Sequence, residues 1–561
     1  MLNRIAVHLA DDLRQEVEAE INRWKDNDKV NRIWQKDAAV WTGADEAKWL
    51  GWLDIVNREI ATASQYRDFK ADIDAAGFRD ILLMGMGGSS LCPEVLGMTF
   101  DKPNFHILDS TVPARIKAIE DKIEIERTLF IVASKSGSTL EPNCFKQYFF
   151  DLVAKKVGQE NAGRQFVAIT DPGSKMEKIA KDDSFRYIFY GDPEIGGRFS
   201  ALSAFGLTAA ASMGLDVDGL LRPATEMAGS CKTSDVENTG LLLGAILGLC
   251  QKRGRDKLTI FTGDEVYDLG AWLEQLIAES TGKNGIAIIP IDREPVVNIG
   301  EYGDDRVFVS LSIKDGYIPV EQFELFESLK TSNHPFIDIE LNSIDDIGQE
   351  FFRWEFATAV AGSIMGINPF NQPDVESAKV EARKLTDEYE QKGSLPTERP
   401  FFEDDGVKLF TSDDYAHEIT TDEPSLASVV RAHLSKIKEG DYFALLAYVE
   451  MSTENEDLLQ SIRKKVLDAH GVATCLGFGP RFLHSTGQAY KGGPNSGVFL
   501  QITSEDEFDL PVPGQKFTFG VVKAAQARGD FQVLLDRGRR ALRVHLGKDV
   551  AAGLRHLNEL I

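Results

Sequence analysis

The chain has 561 residues, 43% hydrophobic and 27% charged, which is typical of a globular protein with three or four domains. Its 88 acidic and 62 basic residues give a formal net charge of −26, which argues against nucleic acids or anionic membranes as partners. The five cysteines, an odd number without close spacing, argue against a disulfide framework or a zinc site and favour a reducing compartment.

Residues 1–75 are predicted to form an N-terminal helical segment. Leu2, Ile5, Leu13 and Val17 give a rough helical stripe, and the opening sequence lacks the apolar core of a signal peptide. The longest apolar run of the chain, TGLLLGAILGLC, is too short to cross a bilayer. We therefore expect a soluble, cytoplasmic protein.

Short apolar strands alternate with helical patterns in the next 300 residues. Strands are predicted at ILLMG, FHIL, LFIVA and FVAIT in residues 76–230, and at LTIFTG, IAIIPI, VFVSLSI and PFIDIEL in residues 231–384. Such alternation is typical of parallel sheets covered by helices on both faces. The pattern predicts an α/β protein with two parallel sandwich domains, the second closed by long helices.

Residues 385–423 differ in composition from the rest of the chain. They are charged and poor in long apolar runs, so we interpret them as a linker. Beyond them, strand-like DYFALLAYVE, VATCLGFG, GVFLQIT and LRVHLG again alternate with helical patterns. This predicts a C-terminal α/β domain over residues 424–561.

Two hydroxyl-rich loops follow predicted strands of the first domain. GMGGSS, residues 85–90, combines glycines that admit an anion close to the backbone with hydroxyl donors at a helix start. SKSGST, residues 134–139, holds three serines, a threonine and a lysine, and Ser138 and Glu141 have capping-box spacing. GMGGSS alone is equally consistent with an ordinary strand-to-helix turn, and a capped helix is the alternative at SKSGST, but together the two loops predict a phosphate pocket.

Three further stretches carry candidate charged side chains. GGRFSALSAFG presents Arg198 behind a glycine pair, and EQLIAESTGKNG places Gln275 and Glu279 on one helix face. Glu279 lies in the last helical turn, where the negative helix end favours a general base. INPFNQPDVESAK places Lys379 one or two helical turns beyond Pro373.

Taken in order, these five stretches resemble the glucose-6-phosphate isomerase family, which has sugar-isomerase (SIS) domains, from about Ile81 to Lys384. The resemblance implies two SIS domains, each with a five-stranded parallel sheet, and a sugar phosphate as ligand. It implies substrate contacts by Gly88, Ser89, Ser134, Lys135, Ser136, Thr139 and Gln275. It also implies that Glu279 moves a proton between carbons 1 and 2, that Arg198 steadies an enediolate, and that Lys379 lies near the ring oxygen.

The family's ring-opening histidine lacks a clear match between Glu279 and Lys379. The only histidine there is His334, in TSNHPFIDIEL, whereas LHSTGQAYKGG in the C-terminal domain resembles the family's histidine stretch and offers His484. Such a chain is similar to the isomerase half of bifunctional transaldolase/glucose-6-phosphate isomerases, which implies a transaldolase domain as a fusion partner. We expect either a homodimer or a monomer that supplies His484 in cis.

The resemblance implies reversible interconversion of glucose 6-phosphate and fructose 6-phosphate. No metal or cofactor is expected, because no histidine or carboxylate cluster has ligand spacing and proton transfer needs only a positioned base. A dual phosphoglucose/phosphomannose isomerase would use the same chemistry. A SIS-type sugar-phosphate-binding regulator would keep the two loops but would have no use for Glu279, Arg198 and Lys379.

Overall fold

The computed structural model describes all residues from 1 to 561 and contains three β-sheets. All three are built largely from parallel strands alternating with helices, which confirms the predicted α/β class. No helix of the structure combines the length and the apolar character that a membrane span requires.

The N-terminal segment starts with a strand. Its elements are β1 (Arg4–His8), α1 (Asp11–Asp26), α2 (Lys29–Trp34), α3 (Trp52–Thr62) and α4 (Ser64–Ala75). The prediction of helix from residue 1 is therefore wrong at residues 4–8. These residues form the edge strand of a sheet and pair antiparallel with a strand some 330 residues later in the chain, and β-branched Ile5 and Val7 suit that pairing.

The first sheet has five parallel strands in the order β3-β2-β4-β5-β6. The strands are β2 (Asp80–Met84), β3 (Phe105–Leu108), β4 (Thr128–Ala133), β5 (Phe166–Thr170) and β6 (Tyr187–Tyr190). The helices are α5 (Leu91–Thr99), α6 (Pro113–Lys122), α7 (Leu140–Val157), α8 (Gln159–Ala162), α9 (Lys175–Asp182) and α10 (Ala204–Ser212).

The second sheet has the order β1-β10-β9-β7-β8, with only β1 antiparallel. Its other strands are β7 (Lys257–Thr262), β8 (Ile289–Asp292), β9 (Arg306–Ile313) and β10 (Phe336–Leu341). The helices are α11 (Val217–Ser230), α12 (Thr239–Lys252), α13 (Leu269–Thr281), α14 (Val320–Leu329) and α15 (Ile347–Met365). The apolar run TGLLLGAILGLC forms most of α12, which is buried against α15 in the core shared by the first two sheets.

The third sheet has the order β11-β12-β16-β15-β13-β14, in which β13 to β16 are parallel. Its strands are β11 (Phe402–Asp404), β12 (Val407–Phe410), β13 (Tyr442–Tyr448), β14 (Ala473–Phe478), β15 (Gly497–Ser504) and β16 (Arg540–Leu546). The helices are α16 (Pro373–Lys392), α17 (Asp413–Ile419), α18 (Leu426–Leu434), α19 (Thr453–His470), α20 (Gly487–Gly492), α21 (Phe519–Asp536) and α22 (Val550–Leu560).

The predicted linker over residues 385–423 is not a featureless connection. It contains the end of α16, the strands β11 and β12, and α17. The two strands extend the third sheet antiparallel to β16. These strands were not predicted because edge strands this short need few apolar residues. In β12, Val407 and Leu409 face the core, and Lys408 and Phe410 alternate with them.

The C-terminal domain packs against both other sheets, which brings it close to their loops. Phe517 and Phe519 join the core under the first sheet. Tyr442 and Phe482 join a core that includes Ile289 of the second sheet. Residues far apart in the chain can therefore meet where the three sheets converge.

Candidate active site

A cavity of about 520 Å³ opens where α7, α16, α21 and the turn after β14 meet. Ser136, Ser138 and Thr139 of the SKSGST loop line one wall, directly before α7 begins. Gly137 has a φ of +66° and contacts Met176 so closely that a Cβ atom would clash with the Met176 backbone. Only glycine fits there, so the loop holds its hydroxyls at the positive end of α7.

The predicted capping box at the start of α7 does not form. Ser138 instead exchanges a hydrogen bond with Ser136, with 2.7 Å between their Oγ atoms, and no side chain caps the helix. Glu141 is buried and turns toward the C-terminal domain, where its Oε1 atom accepts hydrogen bonds. The hydroxyls of the loop therefore face the cavity without a capping role.

Two residues of the predicted loop lie apart from the cavity lining. Ser134 is buried and continues the sheet, donating its backbone N–H to the carbonyl of Ile169 at 3.0 Å. The Nζ atom of Lys135 pairs with Asp171 at 2.7 Å and donates to the Asp192 carbonyl. These bonds hold the base of the loop in place, and the structure offers no contact between either side chain and the cavity.

Lys379 and His484 line the cavity from other sides. Lys379 lies two turns into α16, about one-third exposed, with its Nζ atom 2.9 Å from Glu376 Oε1. His484 ends the short turn after β14, and its Nε2 atom lies 2.9 Å from Glu141 Oε1. The C-terminal domain thus contributes a histidine to a wall that also carries the SKSGST loop of the same chain.

Glu141 also accepts a 2.6 Å hydrogen bond from Gln526 Nε2 of α21. Burial alone would raise the pKa of Glu141, but the charge and hydrogen bond of His484 outweigh it, so this pKa lies below its ordinary value. A carboxylate that stays ionised fixes the orientation of the imidazole beside it. The sequence analysis did not predict this role of Glu141. The only signal for it in the sequence is that Glu141 lies two residues after the SKSGST loop.

Glu279, Gln275 and Arg198 form a buried group directly behind His484. Gln275 Nε2 donates to Glu279 Oε2 at 3.2 Å and to the His484 carbonyl at 2.7 Å. Arg198 Nη1 lies 3.6 Å from Glu279 Oε2, and Arg198 Nε donates to Ser280 Oγ at 2.7 Å. These three side chains do not line the 520 Å³ cavity itself; Gln275 connects them to it.

Burial governs the electrostatics of this group. It lowers the pKa of the Arg198 guanidinium, while the charge of Glu279 acts in the opposite direction. Nearby Lys283, another residue that sequence reasoning missed, is buried and donates to the Asn368 carbonyl at 2.6 Å. Burial, with Arg198 adding to it, lowers the pKa of Lys283 well below its ordinary value. Arg198 therefore faces Glu279 in a buried site, with Lys283 nearby.

The GMGGSS turn packs against the loop that carries Arg198. A Cβ atom on Gly88 would clash with the carbonyl oxygen of Gly197 and would lie 2.9 Å from the backbone nitrogen of Arg198. Ser89 follows in the same turn, beside Gly85. Gly88 therefore sets how closely the first sheet approaches Arg198, while no contact of the Ser89 side chain with the buried group is seen.

The LHSTGQ stretch connects the three sheets through more than its histidine. Gln488 Oε1 accepts from the backbone N–H of Asp374 at 2.9 Å, at the start of α16. Its Nε2 atom donates to the Gly282 carbonyl at 2.7 Å, just beyond α13. One glutamine thus fixes the helix of Lys379 and the helix of Glu279 relative to His484.

His334 lies elsewhere. Its ring packs edge to face against Phe308 with centroids 5.3 Å apart, and burial lowers its pKa. None of its hydrogen bonds or ring contacts reaches Glu279 or Lys379. Of the two histidines considered from the sequence, only His484 lies in the cavity wall.

Comparison with known proteins finds a family match over the first sheet and part of the second. Residues 57–293 match the sequence profile described as phosphoglucose isomerase, a range that includes Arg198, Gln275 and Glu279 but neither Lys379 nor His484. A probable glucose-6-phosphate isomerase of Methanococcus maripaludis is 29% identical over 375 residues, covering 59% of this chain and 82% of its own. The glucose-6-phosphate isomerase of Methanocaldococcus jannaschii is 26% identical over 339 residues, covering 54% and 83%.

Two solved structures share the fold. A hypothetical protein from Thermus thermophilus superimposes with a TM-score of 0.59 at 22% identity, covering 68% of this chain and 99% of that one. A glucose-6-phosphate isomerase from Chlamydia trachomatis gives a TM-score of 0.50 at 20% identity, covering 64% and 77%.

Proposed function

We propose that this chain, whose residues 57–293 belong to the phosphoglucose isomerase family, interconverts glucose 6-phosphate and fructose 6-phosphate through an enediolate. One observation carries the proposal: the Gln275 amide contacts both the Glu279 carboxylate and the His484 backbone. The candidate proton-transfer base and the candidate ring-opening histidine are therefore held next to each other within one chain.

The phosphate of the substrate binds at the SKSGST loop in this proposal. Ser136, Ser138 and Thr139 provide hydroxyl donors where α7 begins, and a helix start favours an anion. Lys379 supplies a positive charge from the facing wall. A chain with a net charge of −26 needs such local groups to hold a dianion.

His484 opens the sugar ring. Its Nε2 atom is paired with Glu141. The Glu141 carboxylate stabilises the imidazolium that forms when the other ring nitrogen, Nδ1, takes up a proton. Lys379 acts near the ring oxygen, as in the family that the chain resembles. The opened carbon chain extends past His484 toward Glu279.

Glu279 then removes the proton from carbon 2 and returns it to carbon 1. The negative charge that develops on the enediolate is stabilised by the Arg198 guanidinium, held in place by Ser280 and the Pro369 carbonyl. Because both groups are buried, their electrostatic effect on the transition state is larger than it would be in water.

The buried pair favours an enzyme over a sugar-phosphate-binding regulator. A regulator needs the phosphate loop but gains nothing from a carboxylate and a guanidinium desolvated together behind it. Glu279 and Arg198 lie 3.6 Å apart in the protein interior, and removing both charges from water costs free energy. A role in proton transfer gives a reason for that cost.

A coupled assay tests the proposal. Purified protein should form glucose 6-phosphate from fructose 6-phosphate, recorded as hydride transfer by an added glucose-6-phosphate dehydrogenase. Mannose 6-phosphate in place of fructose 6-phosphate tests the dual-specificity alternative. Protein that binds fructose 6-phosphate but forms neither aldose would instead support the regulator.

The number of subunits is part of the proposal. Every side chain assigned here belongs to one chain, which supports a monomer active with His484 in cis, and the homodimer stays the alternative. The transaldolase fusion partner and the cytoplasmic location likewise stay predictions.

A further inference from the structure

A second polar cavity, of about 260 Å³, lies inside the C-terminal domain and shares no lining residue with the proposed active site. It lies at the carboxyl ends of the parallel strands β15 and β16, between the sheet and α21. Ligands of open α/β sheets bind at that end of the strands. The helix α21 separates the two cavities. Its Gln526 contacts Glu141 on the side of the proposed active site, and its Lys523 and Arg528 line the second cavity on the other side.

The pairing register collects positive charge on one face of the sheet. Lys408 of β12 is directly opposite His545 of β16, and Phe410 is opposite Arg543. Alternation along the two strands turns these four side chains to the cavity, while Leu409 faces the domain core. From α21, Lys523 and Arg528 add two more cations. Lys408 and Arg543 are diagonal neighbours across the two strands, so their like charges repel and an anion between them would be stabilising.

One acidic side chain lines the cavity, and it does not neutralise the cluster. Glu398 pairs with Arg528 Nε at 2.6 Å and with Arg543 Nη2 at 2.8 Å, which fixes both guanidinium groups in place. Asp506, outside the lining, holds Lys523 at 2.6 Å. Lys408 has its nearest carboxylate, Glu505, only at 4.0 Å, so its ammonium donors remain available.

The pKa of His545 reflects the positive charge around the cavity. Its Nδ1 atom lies 2.9 Å from Thr503 Oγ1 at the end of β15. Burial, with the charges of Arg543, Lys408, Lys523 and Arg528 adding to it, lowers the pKa of His545 to about 4. The ring is therefore neutral at physiological pH and surrounded by cations, in a chain that is strongly acidic as a whole.

We propose that this cavity is a binding site for a small phosphorylated metabolite, with the phosphate held by Lys408, Lys523, Arg528 and Arg543. Guanidinium groups suit the oxygen geometry of phosphate, and Thr503 offers a neutral donor. Phe410, on which the Arg543 guanidinium stacks at 4.2 Å, presents an apolar surface to the rest of the ligand. The volume exceeds that of a phosphate ion, which leaves room for an organic part.

Histidine resonances provide a test that does not depend on turnover. The full chain, labelled with ¹³C-histidine, is titrated with inorganic phosphate at constant ionic strength set with chloride, and His545 is assigned from the spectrum of His545→Gln. We expect a saturable shift of the His545 resonance. A second titration with glycerol phosphate should give tighter binding if the organic part contacts Phe410.

Variants locate the binding. Lys408→Gln should weaken phosphate affinity about tenfold, the loss expected for one charge-assisted contact. Lys436→Gln is the matched control, because Lys436 lies in the same domain and its side chain is 32% exposed, against 33% for Lys408. A His545 resonance that does not respond to phosphate, or the same affinity in Lys408→Gln as in Lys436→Gln, would overturn the site. Either result leaves the isomerase proposal untouched.

Discussion

The imidazole Nε2 atom of His484 lies 2.9 Å from the Oε1 atom of Glu141, although 343 residues separate the two in the chain. Glu141 belongs to the first turn of the helix that follows the proposed phosphate loop, and His484 to the C-terminal domain. The contact therefore attaches the added domain to the proposed catalytic cavity. It is reinforced by Gln526 on the same carboxylate oxygen.

The first prediction concerns Glu279. Glu279→Gln should lower the rate of fructose 6-phosphate isomerisation by roughly 10²–10⁴-fold, because an amide cannot accept the proton that leaves carbon 1 of the ketose. The hydrogen bond from Gln275 and the buried packing survive, so sugar-phosphate binding should be retained. The coupled assay and calorimetric titration measure both quantities, with Glu388→Gln on α16, where the side chain is partly exposed and pairs with Lys392, as the control. Near-normal turnover in purified Glu279→Gln would remove Glu279 from the mechanism.

The phosphate loop gives the second prediction. Ser136→Asp places a carboxylate where the phosphate binds, so affinity for fructose 6-phosphate should fall at least about tenfold. The exposed serine Ser435 of the C-terminal domain provides the matched change, Ser435→Asp, which should leave affinity unchanged. Equal affinity in the two variants would show that phosphate binds elsewhere.

The sequence was informative where the structure depends on local pattern. The position of the SKSGST loop after β4 and the place of Glu279 in the last turn of α13 follow from strand and helix periodicity within about ten residues. Residues 4–8 were misassigned because their strand partner, β10, lies more than 300 residues away. Local spacing also suggested that Glu141 caps a helix, whereas a histidine of another domain determines its orientation.

The third prediction concerns packing behind the buried group. In Gly88→Ala the new methyl group meets the Gly197 carbonyl and the backbone of Arg198, so the Arg198 loop must shift. We expect a loss of about 1–3 kcal/mol in the free energy of unfolding and reduced turnover. Gly196→Ala in the same loop is the control, because nothing lies within 4 Å of a Cβ atom there. Urea unfolding and the coupled assay should distinguish the two variants. Equal stability and equal turnover in Gly88→Ala and Gly196→Ala would show that the close contact at Gly88 is not needed for activity.

The fourth prediction is a pH dependence of stability at the boundary between the second sheet and the C-terminal domain. Burial, together with the charge of Asp292, raises the pKa of Glu274 from 4.5 to about 8, while Arg463 and Arg293 act against it. The folded protein therefore holds a proton that the unfolded chain has released, and stability falls as the pH rises from 4.5 to about 8.

Glu274→Gln removes this dependence because the amide cannot ionise. Over that pH range the melting temperature of the wild type should fall more steeply than that of Glu274→Gln, so that the variant gains relative stability toward the alkaline end. The control variant Glu388→Gln, at a partly exposed position on α16, should follow the wild type. Parallel melting curves for wild type and Glu274→Gln would show that Glu274 is ionised at neutral pH.

The last prediction separates ring opening from proton transfer. His484→Ala removes the only histidine of the cavity wall, while its backbone carbonyl can still accept from Gln275 and hold Glu279 in place. Turnover of the cyclic sugar should therefore fall by roughly 10²-fold or more, the contribution typical of a general acid–base group. Turnover of substrate supplied in its open-chain form should change much less, because Glu279 and Arg198 are intact. His334→Ala is the control and should leave both rates unchanged, since the His334 ring packs against Phe308 away from the site. An equal loss with both forms of the substrate would assign His484 a structural role, and a selective loss in His334→Ala would transfer ring opening to that residue.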